Sequence, residues 1–107
     1  MGDCVFCKII AGEFGTEFLY EDDLCVIFKD MAPKAPTHLL IVSKKHIVSI
    51  AEMDDSDEVI VAHLISCARD VAKSIGLRGY NLQINVGKDG GQEVFHLHIH
   101  LMSKFNS

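Results

Sequence analysis

The chain has 107 residues, 49% of them hydrophobic, and its 15 acidic residues outnumber 10 basic ones to give a formal net charge of -5. A chain of this length usually forms one domain, so we predict a single domain over residues 1–107, with little room for disorder. The negative charge removes the counterion release that drives binding to DNA or RNA, which excludes a nucleic acid polymer as the expected partner.

The N-terminal segment predicts a short helix next to a pair of cysteines. Met1, Gly2 and the residues after them form neither a secretion signal nor a myristoylation signal, so we expect a cytoplasmic protein. In that reducing compartment Cys4 and Cys7, at C-x-x-C spacing, are thiols or metal ligands rather than a disulfide. Residues Val5–Ala11 are predicted to form a helix that ends at Gly12.

Three strands are predicted in the first half of the chain. Phe18–Tyr20 and Leu24–Lys29 are β-rich, and the short acidic side chains of Glu21–Asp23 between them suit a hairpin turn. After a loop with two prolines, the apolar run His38–Ser43 predicts a third, well-buried strand. No apolar run is long enough to cross a bilayer, so no membrane partner is expected.

The second half predicts one long helix followed by two strands. Ser56–Ile75 carries apolar residues at steps of three and four, and Gly76 ends this helix. Tyr80–Val86 alternates apolar residues with amides, and the last strand is Phe95–Met102. These elements predict the α+β class: an antiparallel sheet of about five strands with the long helix on one face and a short N-terminal helix.

Several side chains of these elements have ordinary structural interpretations. Cys25 and Cys67 lie in apolar stretches and are predicted to fill space in the core. His63, on the long helix, is predicted to be a residue of the surface or of a dimer face.

The last strand carries the strongest functional signal, because three histidines alternate with three aliphatic residues. Successive side chains of a strand point to opposite faces, so the imidazoles share one face and the aliphatic side chains face the core. The two sets are His96, His98, His100 and Leu97, Ile99, Leu101. This pattern is compatible with a zinc site or with a neutral imidazole that acts as a nucleophile. The glycine-rich loop Gly87–Gly91 before the strand favours the second interpretation, since such a loop can cradle a phosphate.

These residues resemble the histidine triad (HIT) family, whose signature is His-φ-His-φ-His-φ-φ with φ apolar, here completed by Met102. Other matching motifs are Phe28-Lys29-Asp30-Met31, Ala35-Pro36-Thr37-His38, Lys44-Lys45-His46, Asn85-Val86-Gly87 and Gly90-Gly91-Gln92-Glu93-Val94-Phe95. They are most similar to the nucleotide-binding branch often called Hint. The resemblance implies a HIT-like fold and a homodimeric purine nucleoside phosphoramidase and nucleotidyl hydrolase.

The resemblance also implies a mechanism with a covalent intermediate. His98 would attack the α-phosphorus of an AMP-type nucleotide and hold the nucleotidyl group until water releases it. A general acid would protonate the leaving group, and His38 and His100 both remain candidates. The protein itself supplies nucleophile and charge stabilisation, so no cofactor is expected for catalysis.

Substrate-binding roles are implied for a further set of residues. Asp30 matches the acidic residue that accepts hydrogen bonds from ribose hydroxyls, and Met31 would lie close to the base. Asn85 would contact ribose or phosphate. The charge on the phosphoryl oxygens would be stabilised by His100 and by backbone N–H groups of Gly91, Gln92 and Glu93.

A structural zinc site is implied beside the histidine strand. In some HIT proteins and in galactose-phosphate uridylyltransferases, such a cysteine pair closes a Zn²⁺ site with two histidines. The matching positions here are Cys4, Cys7, His46 and His96, which would form a closed four-ligand site without a catalytic water.

Three other functions remain open at this stage. The protein could bind a purine nucleotide and signal through protein contacts without turnover, or it could be a dinucleoside polyphosphate hydrolase of the same family. A zinc-dependent hydrolase that uses the histidine strand itself is the third. Ser43 and Glu93 depart from residues frequent in the family, proline and serine. Five residues follow Met102, where relatives often have a longer segment that shapes the leaving-group pocket, so phosphoramidates, acyl-nucleotides and dinucleoside polyphosphates all remain possible substrates.

Overall fold

A five-stranded antiparallel sheet forms the centre of the protein, which a computed structural model describes from residue 3 to residue 105. The strands are β1 (Tyr20–Glu21), β2 (Cys25–Lys29), β3 (Thr37–Ser43), β4 (Asn81–Gln83) and β5 (His98–Ser103). Their order across the open sheet is β1-β2-β3-β5-β4, and every neighbouring pair is antiparallel. The predicted α+β class is therefore confirmed. The interpretation of Met1 and Gly2, like the last two residues of the predicted domain, lies outside the described residues.

The long helix α2 (Glu58–Ser74) covers one face of the sheet. A short 3₁₀ turn (Asp55–Asp57) leads directly into α2 and has its own capping box, in which the Asp54 N–H donates to the Asp57 carboxylate at 3.0 Å. The helix ends at Ser74, one residue before the predicted end, and the predicted stop Gly76 follows the C-cap Ile75 with a φ of 78°, in the left-handed region that favours glycine. Leu64, Cys67, Ala68, Val71 and Ala72 are the buried residues of α2.

The short helix α1 (Val5–Ile10) covers part of the opposite face. Its Phe6 and Ile9 form a second apolar cluster with residues from β2 and β3: Val26, Phe28, Leu40 and Val42. We predicted a helix on one face, and the structure adds this smaller layer on the other. Within residues 3–105, no helix combines the length and the apolar character needed to cross a membrane.

Some strands begin or end at other residues than predicted, because backbone groups there form hydrogen bonds outside the sheet. The Asp22 carboxylate accepts the N–H groups of Leu24 and Cys25 at 2.8 and 2.9 Å, so the first turn begins one residue later than predicted. The Leu97 N–H donates to the Ile47 carbonyl at 2.7 Å outside the ladder, and β5 starts at His98. The edge strand β4 is three residues long because it pairs with β5 only there.

The register of β3 and β5 brings the histidines together. Leu40 lies opposite His100, and His38 lies opposite Met102, so His38 is the diagonal neighbour of His100 on the same face. The alternate residues Ile99 and Leu101 are buried under α2.

Candidate active site

A cleft of about 470 Å³ opens on the histidine face of the sheet. Its walls come from β3 and β5, from α1, from the loop between β2 and β3 and from the segment around the glycine-rich loop, where Asn85, Gly91 and Glu93 line it. A larger groove of about 670 Å³ lies around residues 76–81 and 102–105, but none of the chain's six histidines lines it. The titratable side chains therefore identify the smaller cleft as the candidate active site.

His98 presents one ring nitrogen to this cleft as an acceptor. Its Nδ1 lies 2.7 Å from the main-chain oxygen of His96 and must donate to it, because a carbonyl can only accept. Nε2 has no hydrogen-bond partner in residues 3–105. Every fully buried side-chain nitrogen or oxygen in those residues has such a partner, so Nε2 is not fully buried and borders open space. Burial lowers the pKa of His98 below 6.5, and the ring is neutral at pH 7. These constraints leave a lone pair on Nε2.

Phe6 from α1 keeps this imidazole in place. The Phe6 ring meets the His98 ring edge to face, with centroids 5.0 Å apart. His98 is 7% exposed as a result. Its rotamer is thus held on one side by an aromatic ring and on the other by the main chain.

His38 and His100 form a hydrogen-bonded pair beside it. The Lys34 N–H donates to Nδ1 of His38 at 3.0 Å, so a neutral His38 carries its proton on Nε2. That Nε2 lies 2.9 Å from Nδ1 of His100 and 3.3 Å from the Asp30 carboxylate. His100 then carries its own proton on Nε2, which is left for a ligand. Burial, followed by the neighbouring His98 and His38, lowers the pKa of His100 to about 4.

The residues implied to bind the nucleoside and its phosphate differ in their position relative to the cleft. Asp30 lines the cleft, with one carboxylate oxygen accepting the Ala32 N–H at 2.8 Å. Asn85 also lines it and donates to the Gly90 carbonyl at 2.8 Å. Met31, in contrast, is 95% exposed and does not line the cleft.

Most N–H groups of the glycine-rich loop donate hydrogen bonds within the loop and its flanking residues. Gly91 and Gln92 donate to the carbonyls of Lys88 and Gly87, both at 3.0 Å. The buried Gln92 side chain braces the loop, accepting the Gly87 N–H and donating to the Val48 carbonyl at 2.8 Å each. Of the three N–H groups singled out from the sequence, only that of Glu93 has no acceptor within residues 3–105.

The two cysteines of the C-x-x-C motif meet two histidines at one end of the cleft wall. Cys4 Sγ lies 3.2 Å from Nδ1 of His96, and Cys7 Sγ lies 3.3 Å from Nδ1 of His46. The four ligand atoms all lie within 4.8 Å of one another. Nε2 of His96 donates to the Ser43 carbonyl at 2.6 Å, which leaves its Nδ1 lone pair for the thiols or for a metal. Two thiols and two imidazoles are donors that suit zinc.

Sequence reasoning missed Phe6, Lys34 and the surroundings of His63. Phe6 could have been found, because it lies between Cys4 and Cys7, and a helix that brings both thiols to His96 also brings Phe6 toward the histidine strand. The Lys34 contact depends on a loop conformation and left no sequence signal. The prediction of His63 as a residue of the surface or of a dimer face did not include its contact with Asp22: the His63 side chain is 33% exposed, and its Nε2 lies 2.5 Å from the Asp22 carboxylate.

Comparison with known proteins gives one consistent result. The HIT domain family model matches residues 11–107. Protein HitA of Neisseria gonorrhoeae is 45% identical over 103 residues, which span 95% of this chain and 96% of HitA. The similarity therefore extends through nearly the whole of both proteins.

Solved structures agree with the sequence comparison. A HIT family hydrolase from Legionella pneumophila Philadelphia 1 superposes with a TM-score of 0.91 at 42% identity, covering 97% of this chain and 95% of that one. A histidine triad nucleotide-binding protein from Candida albicans has a TM-score of 0.83 at 31% identity, covering 92% and 73%. A Zn-bound histidine triad family protein from Mycobacterium smegmatis has a TM-score of 0.84 at 31% identity, covering 99% and 78%.

Proposed function

Since this chain belongs to the HIT domain family, we propose that it is a purine nucleotide hydrolase that works through a covalent nucleotidyl intermediate on His98. One observation carries the proposal: the hydrogen bond from Nδ1 of His98 to the main-chain oxygen of His96 fixes the tautomer of His98 and leaves an unprotonated Nε2 at the cleft. A hydrolase from Legionella with the same fold supports the reaction class.

The reaction is a pair of displacements at the α-phosphorus of an AMP-type substrate. In the first, the Nε2 lone pair of His98 forms an N–P bond while the bond from phosphorus to an amine or phosphate leaving group breaks, and the leaving group takes up a proton. In the second, water attacks phosphorus and gives its proton to the group that protonated the leaving group, while the N–P bond breaks and the electron pair returns to His98. Each displacement is easier than direct attack by water, because imidazole is a better nucleophile and a better leaving group.

The hydrogen bonds favour His100 over His38 as the group that meets the substrate. Both nitrogens of His38 are engaged, by the Lys34 N–H and by His100, whereas Nε2 of His100 remains available. This N–H donates to a phosphoryl oxygen or to the leaving group. An anionic phosphate beside His100 also favours its protonated form, so substrate binding counteracts the effect of burial on its pKa. His38 then positions His100.

The remaining cleft residues suit a nucleoside 5′-phosphate. The Asp30 carboxylate keeps lone pairs for ribose hydroxyls beyond its bond to the Ala32 N–H. The Asn85 carbonyl and the Glu93 N–H complete the polar lining at the phosphate end. The nucleotide-binding relative from Candida albicans supports this ligand class.

Mass spectrometry of quenched reactions with an adenosine phosphoramidate tests the covalent step. We expect a transient mass increase of one adenylyl group, mapped to the peptide with His98, and no such adduct in a His98→Gly variant. Turnover without any adduct would contradict the mechanism. Retained nucleotide binding with no turnover in the unaltered protein would favour the binding-only function instead.

A zinc-dependent hydrolase is the second candidate, because ligand atoms of Asp30, His38 and His100 also lie within 4.8 Å of one another. The two functions differ in their response to a chelator. We expect turnover to persist in EDTA at concentrations where the fold, followed by circular dichroism, is unchanged. Loss of turnover with an intact fold, restored by added Zn²⁺, would favour the second candidate.

We also propose that Cys4, Cys7, His46 and His96 hold a structural zinc ion, as the Zn-bound relative from Mycobacterium smegmatis supports. Bound there, the metal would anchor the N-terminal segment to the start of β5. A Cys4→Ser/Cys7→Ser variant is expected to lose one zinc per chain and to unfold at a lower temperature. Equal zinc content in variant and parent would reject the site.

The resemblance to the Hint branch extends the proposal to a cytoplasmic homodimer. The edge strand β4 supports it, since Leu82 there is 39% exposed and its outer side has no neighbouring strand in the described chain. Sedimentation equilibrium is expected to give twice the chain mass. A Leu82→Lys substitution should shift the protein toward the monomer.

A further inference from the structure

A second group of metal-ligand side chains lies on the other side of the sheet from the cleft. Nε2 of His63 is 2.5 Å from the Asp22 carboxylate and 3.3 Å from Cys67 Sγ, and that Sγ is 3.8 Å from the same carboxylate oxygen. Cys25 is the fourth residue of the group, and the four ligand atoms, one from each residue, all lie within 4.8 Å of one another. Nothing in the proposed nucleotide chemistry uses these residues.

Local structure holds the group together before any ligand arrives. His63 and Cys67 are one turn apart on α2, at the i and i+4 positions that share a helix face. The other oxygen of Asp22 is fixed by the Leu24 and Cys25 N–H groups. Cys25 is the first residue of β2, directly after that turn. Helix, turn and strand thus converge on one point.

The donor set and its spacing match a tetrahedral zinc site. Two thiolates, one imidazole and one carboxylate oxygen are all zinc ligands. Sulfur and nitrogen bound to one tetrahedral Zn²⁺ stand roughly 3.5 Å apart, close to the 3.3 Å between Cys67 and His63. The Asp22 and His63 atoms would have to separate by about 0.8 Å to reach the corresponding distance.

We propose that this chain has a second structural zinc site formed by Asp22, Cys25, His63 and Cys67. The ion would replace the hydrogen bond from Nε2 of His63 to Asp22, so the ring would carry its proton on Nδ1 instead, and the two thiol protons would go to solvent. It would enter from the rim, where the His63 and Asp22 side chains are 33% and 23% exposed. Once bound, it would join the β1–β2 hairpin to α2.

Metal analysis of variants that lack the first cysteine pair tests the proposal. In the Cys4→Ser/Cys7→Ser protein, we expect one equivalent of Zn²⁺ or Co²⁺ per chain after dialysis, with Co²⁺ giving thiolate charge-transfer absorption. Adding Cys67→Ser should remove that absorption, while adding Ser66→Ala, on the same helical turn, should leave it. No metal in the Cys4→Ser/Cys7→Ser protein, or unchanged absorption after Cys67→Ser, would overturn the proposal.

Should the combined variants fail to fold, the single Cys67→Ser variant of the parent protein decides the matter. The parent should hold two zinc ions per chain and the Cys67→Ser variant one, with a lower melting temperature only when zinc is present. Equal zinc content in the two proteins would overturn the site. The His63–Asp22 contact would then be an ordinary ion pair. Turnover of nucleotide is not a readout here, so this test and that of His98 fail independently.

Discussion

The two faces of the sheet are built from the same strands but differ in chemistry. The face under α2 is an apolar core that includes Ile41, Ile99 and Leu101, each at most 1% exposed. The face under α1 has a smaller apolar cluster and carries the side chains of His38, His98 and His100. Along β5 the two chemistries alternate residue by residue.

Within one strand, the residues that face α2 therefore contribute to stability, and those that face α1 contribute to reactivity. On the α2 face, burial of apolar area supplies the free energy of folding. On the α1 face, each buried imidazole costs desolvation, which is offset by hydrogen bonds that also fix its tautomer. Substitutions on the two faces should therefore affect different measurements.

The largest expected effect is the loss of turnover in a His98→Gly variant. Without the nucleophile, kcat/KM should fall at least about 1,000-fold, or roughly 4 kcal/mol in activation free energy. Its neighbour gives the matched control: Ile99→Val should lower the free energy of unfolding by about 0.5–1.5 kcal/mol with little change in turnover. Similar kinetic losses in both variants would contradict the separation.

On the α2 face the largest expected effect is on stability. Leu64→Ala removes a side chain that is 0% exposed and should lower the free energy of unfolding by about 2–5 kcal/mol. Val59, on the same helix, is 70% exposed, and Val59→Ala should change it by no more than about 0.5 kcal/mol. Urea denaturation measures both. Equal values would mean that α2 does not pack as described.

A smaller effect is expected at Gly91, in the loop that closes the cleft. Its φ of 84° disfavours a side chain, and an added Cβ would lie 3.3 Å from the Asn85 amide nitrogen. Gly91→Ala should cost about 1–2 kcal/mol of stability and raise KM. Gly90→Ala is the control, since a Cβ there meets nothing within 4 Å and its φ is not positive. An unchanged KM in the Gly91→Ala variant would show that this loop does not contribute to substrate binding.

The most gradual expected effect is a dependence of stability on pH from the α1 face. The pKa of His100 is lowered to about 4 in the folded protein, so the unfolded chain binds its proton first as the pH falls below 6.5. This contribution to stability is present above pH 6.5 and is lost progressively between about pH 6.5 and 4. Urea denaturation across that pH range should give a free energy of unfolding that depends less on pH for the His100→Asn variant than for the parent protein. Identical profiles would show that His100 is not desolvated.

Much of the fold follows from local patterns. The alternation in β5, the amphipathic period of α2 and its stop at Gly76 each depend on neighbours in sequence, and the structure confirms the strands and the helix they predict. The bounds of β1, β4 and β5 could not be predicted well, because they depend on hydrogen bonds to distant segments, such as that of Leu97 with Ile47.

The candidate site divides in the same way. That His98 and His100 share a face follows from strand geometry alone. That Nε2 of His38 meets Nδ1 of His100 depends on the β3–β5 register, and that Met31 does not line the cleft depends on a loop. The cluster around His63 needs helix, turn and strand at once, so no single stretch of sequence could predict it.

The bond from His98 to the main-chain oxygen of His96 has a consequence for how this protein tolerates mutation. In many hydrolases a side-chain carboxylate orients the catalytic imidazole and can be deleted by a single codon change. Here every amino acid at position 96 keeps the accepting oxygen, so scanning mutagenesis would never register this interaction. Only backbone chemistry, such as replacing the peptide bond between residues 96 and 97 by an ester with a poorer acceptor, would reach it.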